Sequence, residues 1–252
     1  MSSRLRLGVP GALLVGCLTL GQPAEAASYT ASAIPFGFID ISATGVAVPG
    51  ISGDDVAVSV LLPFSFTLFE TSYGNIGISS NGLLTFGGTD STFTNNDLSV
   101  GLASIAPFWD DMRTDAAGAN VYTQTLGPVG SRQFVIQWED LTFFSGGVDT
   151  DRLTFQAILF EGTNNIRFNY ADLVSGTAGG NNGGSATVGI KDAGAQGPDR
   201  LLLAFNNGPN VFVGTDRSTL LERQTVVPEP ATTLLVGSGL LGLAARRRRS
   251  RR

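Results

Sequence analysis

The chain has 252 residues, 33 of them glycine, with 15% charged residues and a formal net charge of −5. It contains no histidine and a single cysteine, Cys17, which excludes a Ser-His-Asp triad and a His/Cys zinc site. Most hydrolase and metalloenzyme designs fall with them.

At the N-terminus, Arg4 and Arg6 precede an apolar stretch over residues 7–20. Ala24-Glu25-Ala26 then offers small residues at the −3 and −1 positions of a signal-peptidase site, so residues 1–26 are expected to be a signal peptide cut after Ala26. Leu14-Val15-Gly16-Cys17 resembles the lipobox of bacterial lipoproteins, in which Cys17 would become the lipidated first residue. The apolar Leu18 and Leu20 that follow favour the cut after Ala26. Once this segment is removed, the chain has no thiol nucleophile and no disulfide, although an oxidising compartment permits one.

Between the two ends lie about 200 residues, enough for one domain with its own core. Residues 27–227 carry 8 basic and 19 acidic residues, a net of −11 that the terminal arginines mask. Such a surface attracts cations and repels nucleic acid, which is not expected as a partner. Residues 27–50 are expected to form an edge strand and a leader loop. Asn81-Gly82, between residues 75–80 and 83–86, reads as a tight hairpin because both residues tolerate positive φ.

Period-two alternation then recurs. Phe134, Ile136 and Trp138 share one face against Gln133, Val135, Gln137 and Glu139 on the other. Leu153, Phe155, Ala157 and Leu159 alternate with Thr154 and Gln156, and Ile166, Phe168 and Tyr170 with Arg167 and Asn169. Ala186, Val188 and Ile190 alternate with Thr187 and Gly189. This is the pattern of half-buried strands. Glu161-Gly162-Thr163-Asn164-Asn165 reads as a second hairpin turn, and the Gly/Asn-rich residues 175–184 as a flexible loop. The expected fold is all-β, an antiparallel β-sandwich or open barrel over residues 27–213, followed by a linker at 214–227 toward the C-terminus, in which Leu220 and Leu221 can pack back on the domain.

In the central block, Ser80-Asn81-Gly82-Leu83-Leu84-Thr85-Phe86-Gly87 is followed by Ile105-Ala106-Pro107-Phe108-Trp109-Asp110-Asp111 and Asn120-Val121-Tyr122. Phe134 to Asp140, Leu153 to Leu159 and Ile166 to Tyr170 come next. This order resembles the nidogen-type extracellular domain and related β-domains of bacterial surface proteins over residues 56–192. The resemblance implies an extracellular module associated with adhesion and matrix, and it supplies no catalytic residue.

Three groups of side chains can carry chemistry. Asp110-Asp111 with Asp115 is the candidate metal site, because adjacent carboxylates at a strand end supply hard oxygen ligands to Ca²⁺. Asp54-Asp55 adds oxygens if the fold brings it near, and Asp149-Thr150-Asp151 is a weaker acidic pair whose continuation, Arg152-Leu153, departs from the calcium-loop pattern. Glu139, Asp140 and the aspartates offer a glycosidase-type carboxylate pair, which needs its carboxyls about 5–10 Å apart. Trp109, Trp138, Phe143 and Phe144 can stack on sugar rings. The apolar face of its strand assigns Trp138 to the core, and at least one of Phe143 and Phe144 is expected there too.

The last 25 residues are an address. Pro228-Glu229-Pro230 precedes fifteen apolar or small residues, 231–245, and then Arg246-Arg247-Arg248-Arg249-Ser250-Arg251-Arg252. As a helix the apolar run spans about 22 Å, short for a bilayer core of about 30 Å. Snorkelling arginines and local thinning make up the difference. Arginines stay on the cytoplasmic side, so the bulk of the chain is expected outside.

These three parts in order resemble the PEP-CTERM sorting signal of Gram-negative bacteria over residues 228–252, with a transmembrane helix at 231–245. The resemblance implies recognition and removal by an exosortase-type enzyme, transit through the inner membrane, and delivery to the cell envelope, cell surface or extracellular matrix. The expected protein is an exported, surface-anchored or secreted non-catalytic β-domain, structural or adhesive in matrix or biofilm. Matrix polysaccharide and other surface proteins are its expected partners. A glycan-binding module assisted by calcium is the alternative, and a carboxylate-dependent glycan hydrolase the third reading. Calcium aside, no cofactor is expected.

Overall fold

The computed structural model describes residues 27–145, 152–177, 179–193 and 199–224. The expected signal peptide, the Asp149-Thr150-Asp151 pair, Pro228-Glu229-Pro230 and the apolar run at 231–245 lie outside them. No helix among the described residues is long and apolar enough to cross a membrane.

Fourteen strands follow in chain order: β1 (Ser28–Ile34), β2 (Val46–Ala47), β3 (Ala57–Leu68), β4 (Thr71–Ser79), β5 (Leu84–Phe86), β6 (Ala103–Trp109) and β7 (Met112–Arg113), then β8 (Asn120–Leu126), β9 (Gln133–Phe143), β10 (Leu153–Phe160), β11 (Ile166–Asp172), β12 (Thr187–Lys191), β13 (Arg200–Phe205) and β14 (Arg217–Gln224). One sheet has the order β1-β14-β11-β10-β9-β8-β2, with β7 also on β9, and the other β13-β12-β6-β5-β4-β3. Both sheets keep free edges, so the architecture is a two-sheet sandwich and not a closed barrel.

The alternation read from the sequence sorts the core. Phe134, Ile136 and Trp138 of β9, Phe155, Ala157 and Leu159 of β10, and Ile166, Phe168 and Tyr170 of β11 face Val188 and Ile190 of β12 in one apolar cluster. Two buried hydrogen bonds cross between the sheets. Trp138 Nε1 donates to the Ser79 carbonyl at 2.9 Å, and the Tyr170 hydroxyl donates to the Pro107 carbonyl at 2.9 Å. Each satisfies the polar tip of a large aromatic that would otherwise be buried unpaired.

Four local expectations change in the structure. The leader loop is a strap: residues 35–45 run from β1 at one edge to β2 at the other. On that path the Ile39 N–H donates to Gln156 Oε1 at 3.0 Å and the Ile41 N–H to Gln137 Oε1 at 2.9 Å. Val135 and Gln137, on the outward face of β9, are therefore fully buried. The linker expected at 214–227 is corrected: residues 217–224 form β14, hydrogen-bonded between β1 and β11, with Leu221 in the core. In the segment expected as a flexible loop, Ser175, Asn181 and Asn182 are tied down: the Ser175 N–H bonds Asn181 Oδ1 and the Thr215 N–H bonds Asn182 Oδ1.

The fourth change is in the Asn81-Gly82 turn. It joins β4 to β5 as expected, but only Gly82 takes a positive φ, at 70°. Asn81 is instead a buried hub. Its Nδ2 donates to Asp55 Oδ1 at 2.8 Å and to the Ser91 carbonyl at 3.0 Å, and its Oδ1 accepts the Met112 N–H at 2.8 Å. The second hairpin stands as read: Gly162 and Asn164 take positive φ between β10 and β11.

Candidate functional site

At one end of the sandwich the β2–β3 loop, the β4–β5 turn and the β6–β7 turn meet. Asp54 forms an antiparallel bridge with Arg113, and the Thr114 N–H donates to the Gly53 carbonyl at 2.9 Å. The Thr114 hydroxyl also accepts the Gly53 N–H, at 3.1 Å. This zipper lays Asp54-Asp55 beside Asp111, across more than fifty residues of sequence. One carboxylate oxygen from each of Asp54, Asp55 and Asp111 lies within 4.8 Å of the other two.

The electrostatics of this cluster are unfavourable as it stands. Asp54 Oδ1 and Asp111 Oδ1 are buried without a hydrogen-bond partner. Burial, followed by the charges of Asp54, Asp55 and Asp110, pushes the Asp111 carboxyl above the usual carboxylate range. Burial and then Asp55 push Asp54 the same way, with Arg113 opposing.

The candidate trio Asp110, Asp111 and Asp115 is corrected, because only Asp111 belongs to the cluster. Asp110 turns into the domain, where Oδ2 accepts the Ser185 hydroxyl at 2.5 Å and Oδ1 accepts the Asp111 N–H at 2.9 Å. Asp115 pairs with Arg113 at 2.5 Å, and that hydrogen bond holds its carboxyl below the ordinary value. Asp110 and Asp111 lie in the bend between β6 and β7, outside both strands, and there their side chains part.

Next to the cluster lies a cleft of about 520 Å³, lined by Asp110, Asp111, Asn95, Asn206, Ser185 and Phe143 together with glycines. Of the four candidate sugar-stacking aromatics, only Phe144 is exposed, at 52%. Its N–H donates to the Asp111 carbonyl at 3.0 Å, which ties it to the acidic turn, while its neighbours Phe143 and Ser145 line the cleft. Trp138 and Phe143 are in the core, and Trp109 is buried on the outer face with Nε1 donating to the Thr92 carbonyl.

The carboxylates considered as a hydrolase pair lie elsewhere. Glu139 and Asp140 line a smaller cleft of about 360 Å³ with Asp40, Asp172 and Arg152. Burial raises the Glu139 carboxyl, while a 2.6 Å hydrogen bond from Gln137 opposes the shift.

Fold and composition together define an acidic, two-sheet β-sandwich module. The chain belongs to the NIDO-related family, which matches residues 28–232. That span takes in all fourteen strands, β14 included, and so is wider than the 56–192 block read from motifs. A PEP-CTERM protein-sorting motif matches residues 226–249.

Alpha-tectorin of mouse is 28% identical over 180 residues, covering 62% of this chain and 8% of that protein. Human alpha-tectorin is 27% and chicken alpha-tectorin 28% identical over the same length. The chain thus spans about 8% of the length of these relatives. No solved structure matches it. The sorting motif and the NIDO-related domain indicate export to the cell envelope or surface, and the motif implies processing by an exosortase-type enzyme.

Proposed function

We propose that the domain is a non-catalytic structural or adhesive module of the extracellular matrix or biofilm, delivered by its C-terminal sorting signal. The observation that carries this reading is the pairing of a NIDO-related sandwich, residues 28–232, with a sorting motif at 226–249 on one chain. Matrix polysaccharide and other surface proteins are the partners it would meet. A sandwich held by core packing and cross-sheet hydrogen bonds needs only an exposed surface to serve such a role.

Glycan binding is the second reading. It is favoured by the 520 Å³ cleft, which falls within the range of small-ligand sites. Asn95, Asn206 and Ser185 offer hydrogen-bonding groups there, and Phe144, between the cleft-lining Phe143 and Ser145 in sequence, is exposed.

The test is deletion in the native host with add-back, scored as matrix retained on washed cells. Deletion is expected to lower retention, and wild-type add-back to restore it. Add-back of the chain carrying Glu139→Gln and Asp140→Asn is expected to restore it equally. Failure of that double variant alone would favour glycan hydrolysis, and unchanged retention on deletion would remove the structural reading.

A further inference from the structure

We propose that the 520 Å³ cleft beside the β6–β7 turn takes a hydroxyl-rich sugar that carries no anionic group, and that it turns acidic glycans away. The inference rests on the glycan-binding reading above and goes one step further, to the class of sugar.

The cleft's side chains bond one another first, and what they leave over has mostly one polarity. The Ser185 hydroxyl gives its proton to Asp110 Oδ2 at 2.5 Å, which leaves Ser185 Oγ an acceptor. Asn95 Nδ2 donates to the Ser185 carbonyl at 2.7 Å and to Asn206 Oδ1 at 3.0 Å. Both of its hydrogens are then committed, and Asn95 Oδ1 remains as an acceptor. Asp110 also takes the Asp111 N–H and offers only lone pairs. Asp111 brings a second carboxylate to the lining. Asn206 Nδ2 is the amide donor that faces these acceptors, and the Ser145 hydroxyl serves in either sense.

Asp110 fixes this polarity. It is 8% exposed, and bonds from Ser185 and from the Asp111 N–H hold its two oxygens. Ser185 therefore stays an acceptor for as long as Asp110 is a carboxylate.

A ligand that meets acceptors must supply donors. Sugar hydroxyls do so, and they accept from Asn206 on the same ring. A uronate, sulfate or phosphate group brings only lone pairs and negative charge. Beside two carboxylates it gives up its hydrogen bonds to water and finds few in return. Among the described residues that line the cleft there is no Lys or Arg to receive an anion. Apolar surface completes the site. Gly179, Gly180 and Gly184 bring bare backbone to the lining, and a Cβ on Gly180 would lie 2.6 Å from the Phe143 ring, so the backbone there packs directly on an aromatic. Apolar walls with a few placed polar groups are the usual make-up of a small-ligand site.

The experiment presents the full-length chain, in mild detergent, to an array of neutral, amino, uronic, sialylated and sulfated oligosaccharides, with calorimetric titration of those that bind. It is run at low and at high salt, because residues 27–227 carry a net charge of −11. Repulsion from the whole surface is screened beyond about 10 Å at 0.1 M salt and more closely at higher salt, whereas contact inside the cleft is screened far less. Wild type is expected to hold neutral or amino sugars and no acidic ones at both salt levels. Binding to no sugar at all would remove the glycan-binding reading itself. Equal or tighter binding of acidic sugars would overturn the class of ligand while leaving that reading in place. Exclusion that disappears at high salt would overturn the cleft as its cause, and so would tighter capture of an oligolysine peptide than of every sugar.

Asp110→Asn keeps the shape, lets the new amide donate to Ser185 Oγ and turns the serine proton towards the ligand. Neutral-sugar binding is expected to weaken about tenfold, the size of one hydrogen bond, and the gap to acidic sugars to narrow. Asn206→Ala, at an exposed position, is expected to weaken neutral-sugar binding severalfold without lowering the melting midpoint. Glu222→Gln, exposed on β14 and outside the cleft lining, removes one surface charge and is expected to change neither affinity nor selectivity. Wild-type affinity and selectivity in both Asp110→Asn and Asn206→Ala would overturn the proposal.

Discussion

Trp138→Ala is expected to cost the domain about 4–6 kcal/mol, a large share of the 5–15 kcal/mol that folded domains typically have. Trp138 is fully buried and stacks on Phe155 with ring centroids 5.0 Å apart. Phe155 in turn packs against Phe108 of the opposite sheet at 5.3 Å. Truncation opens a cavity at the centre of this stack, worth about 3–5 kcal/mol. It also strips the Ser79 carbonyl of its donor, which adds about 1 kcal/mol or more. Trp138→Phe keeps the ring stacking and loses the hydrogen bond, so its loss should be smaller. Urea denaturation followed by circular dichroism measures both. A loss below about 1 kcal/mol for the alanine variant would contradict the packing described here.

Gly82→Ala is expected to cost about 3 kcal/mol, for a reason that contacts alone do not reveal. Gly82 sits at φ 70°, where an L-residue is strained. A Cβ there would lie 2.0 Å from the Phe108 carbonyl oxygen and 2.8 Å from Met112 Cε. The methionine end can move. The carbonyl belongs to the β6 backbone, and shifting it disturbs the Asp110 N–H bond to the Asn81 carbonyl beside it. Overpacking of this kind typically costs about 1–3 kcal/mol beyond the conformational strain. Gly87 is the control, with φ 77° and nothing within 4 Å of its added Cβ. Gly87→Ala should therefore cost only the conformational part, about 1 kcal/mol. Equal losses at the two glycines, in the same denaturation assay, would show that the close approach is not what confines position 82.

Local periodicity was the most legible part of this fold. Phe134, Ile136 and Trp138 were assigned inward from alternation, and they lie in the core. The Glu161–Asn165 turn was read from its glycine and asparagines, and it joins β10 to β11. Partners supplied from far along the chain were less legible. Gln137 looked like an outward, polar residue, and its burial follows from a strap that hydrogen-bonds to it from residue 41. Arg217–Gln224 lies within the segment expected as a linker, yet both of its edges are paired.

The acidic cluster shows the same limit at the site. Asp110, Asp111 and Asp115 are close in sequence, but the β6–β7 turn sends Asp110 to Ser185 and an ion pair takes Asp115 to Arg113. Asp54 and Asp55 are far from Asp111 in sequence, and the bridge between Asp54 and Arg113 unites them in space. Adjacent carboxylates in both segments were a visible signal. Their pairing depended on a register that alternation does not encode. Asn81 was read for its turn propensity, while its role lies in the side chain that joins the Asp55 loop to Met112.

The acidic sandwich reaches the cell envelope or surface by way of its C-terminal sorting signal. The most direct measurement is fractionation of the native host with an antibody against the β-domain, comparing wild type with a chain carrying Pro228→Ala, Glu229→Ala and Pro230→Ala. Wild type is expected as a shortened chain at the cell surface or in the medium, and the triple variant as a longer chain held in the membrane fraction. Identical size and location for the two chains would contradict sorting by this signal.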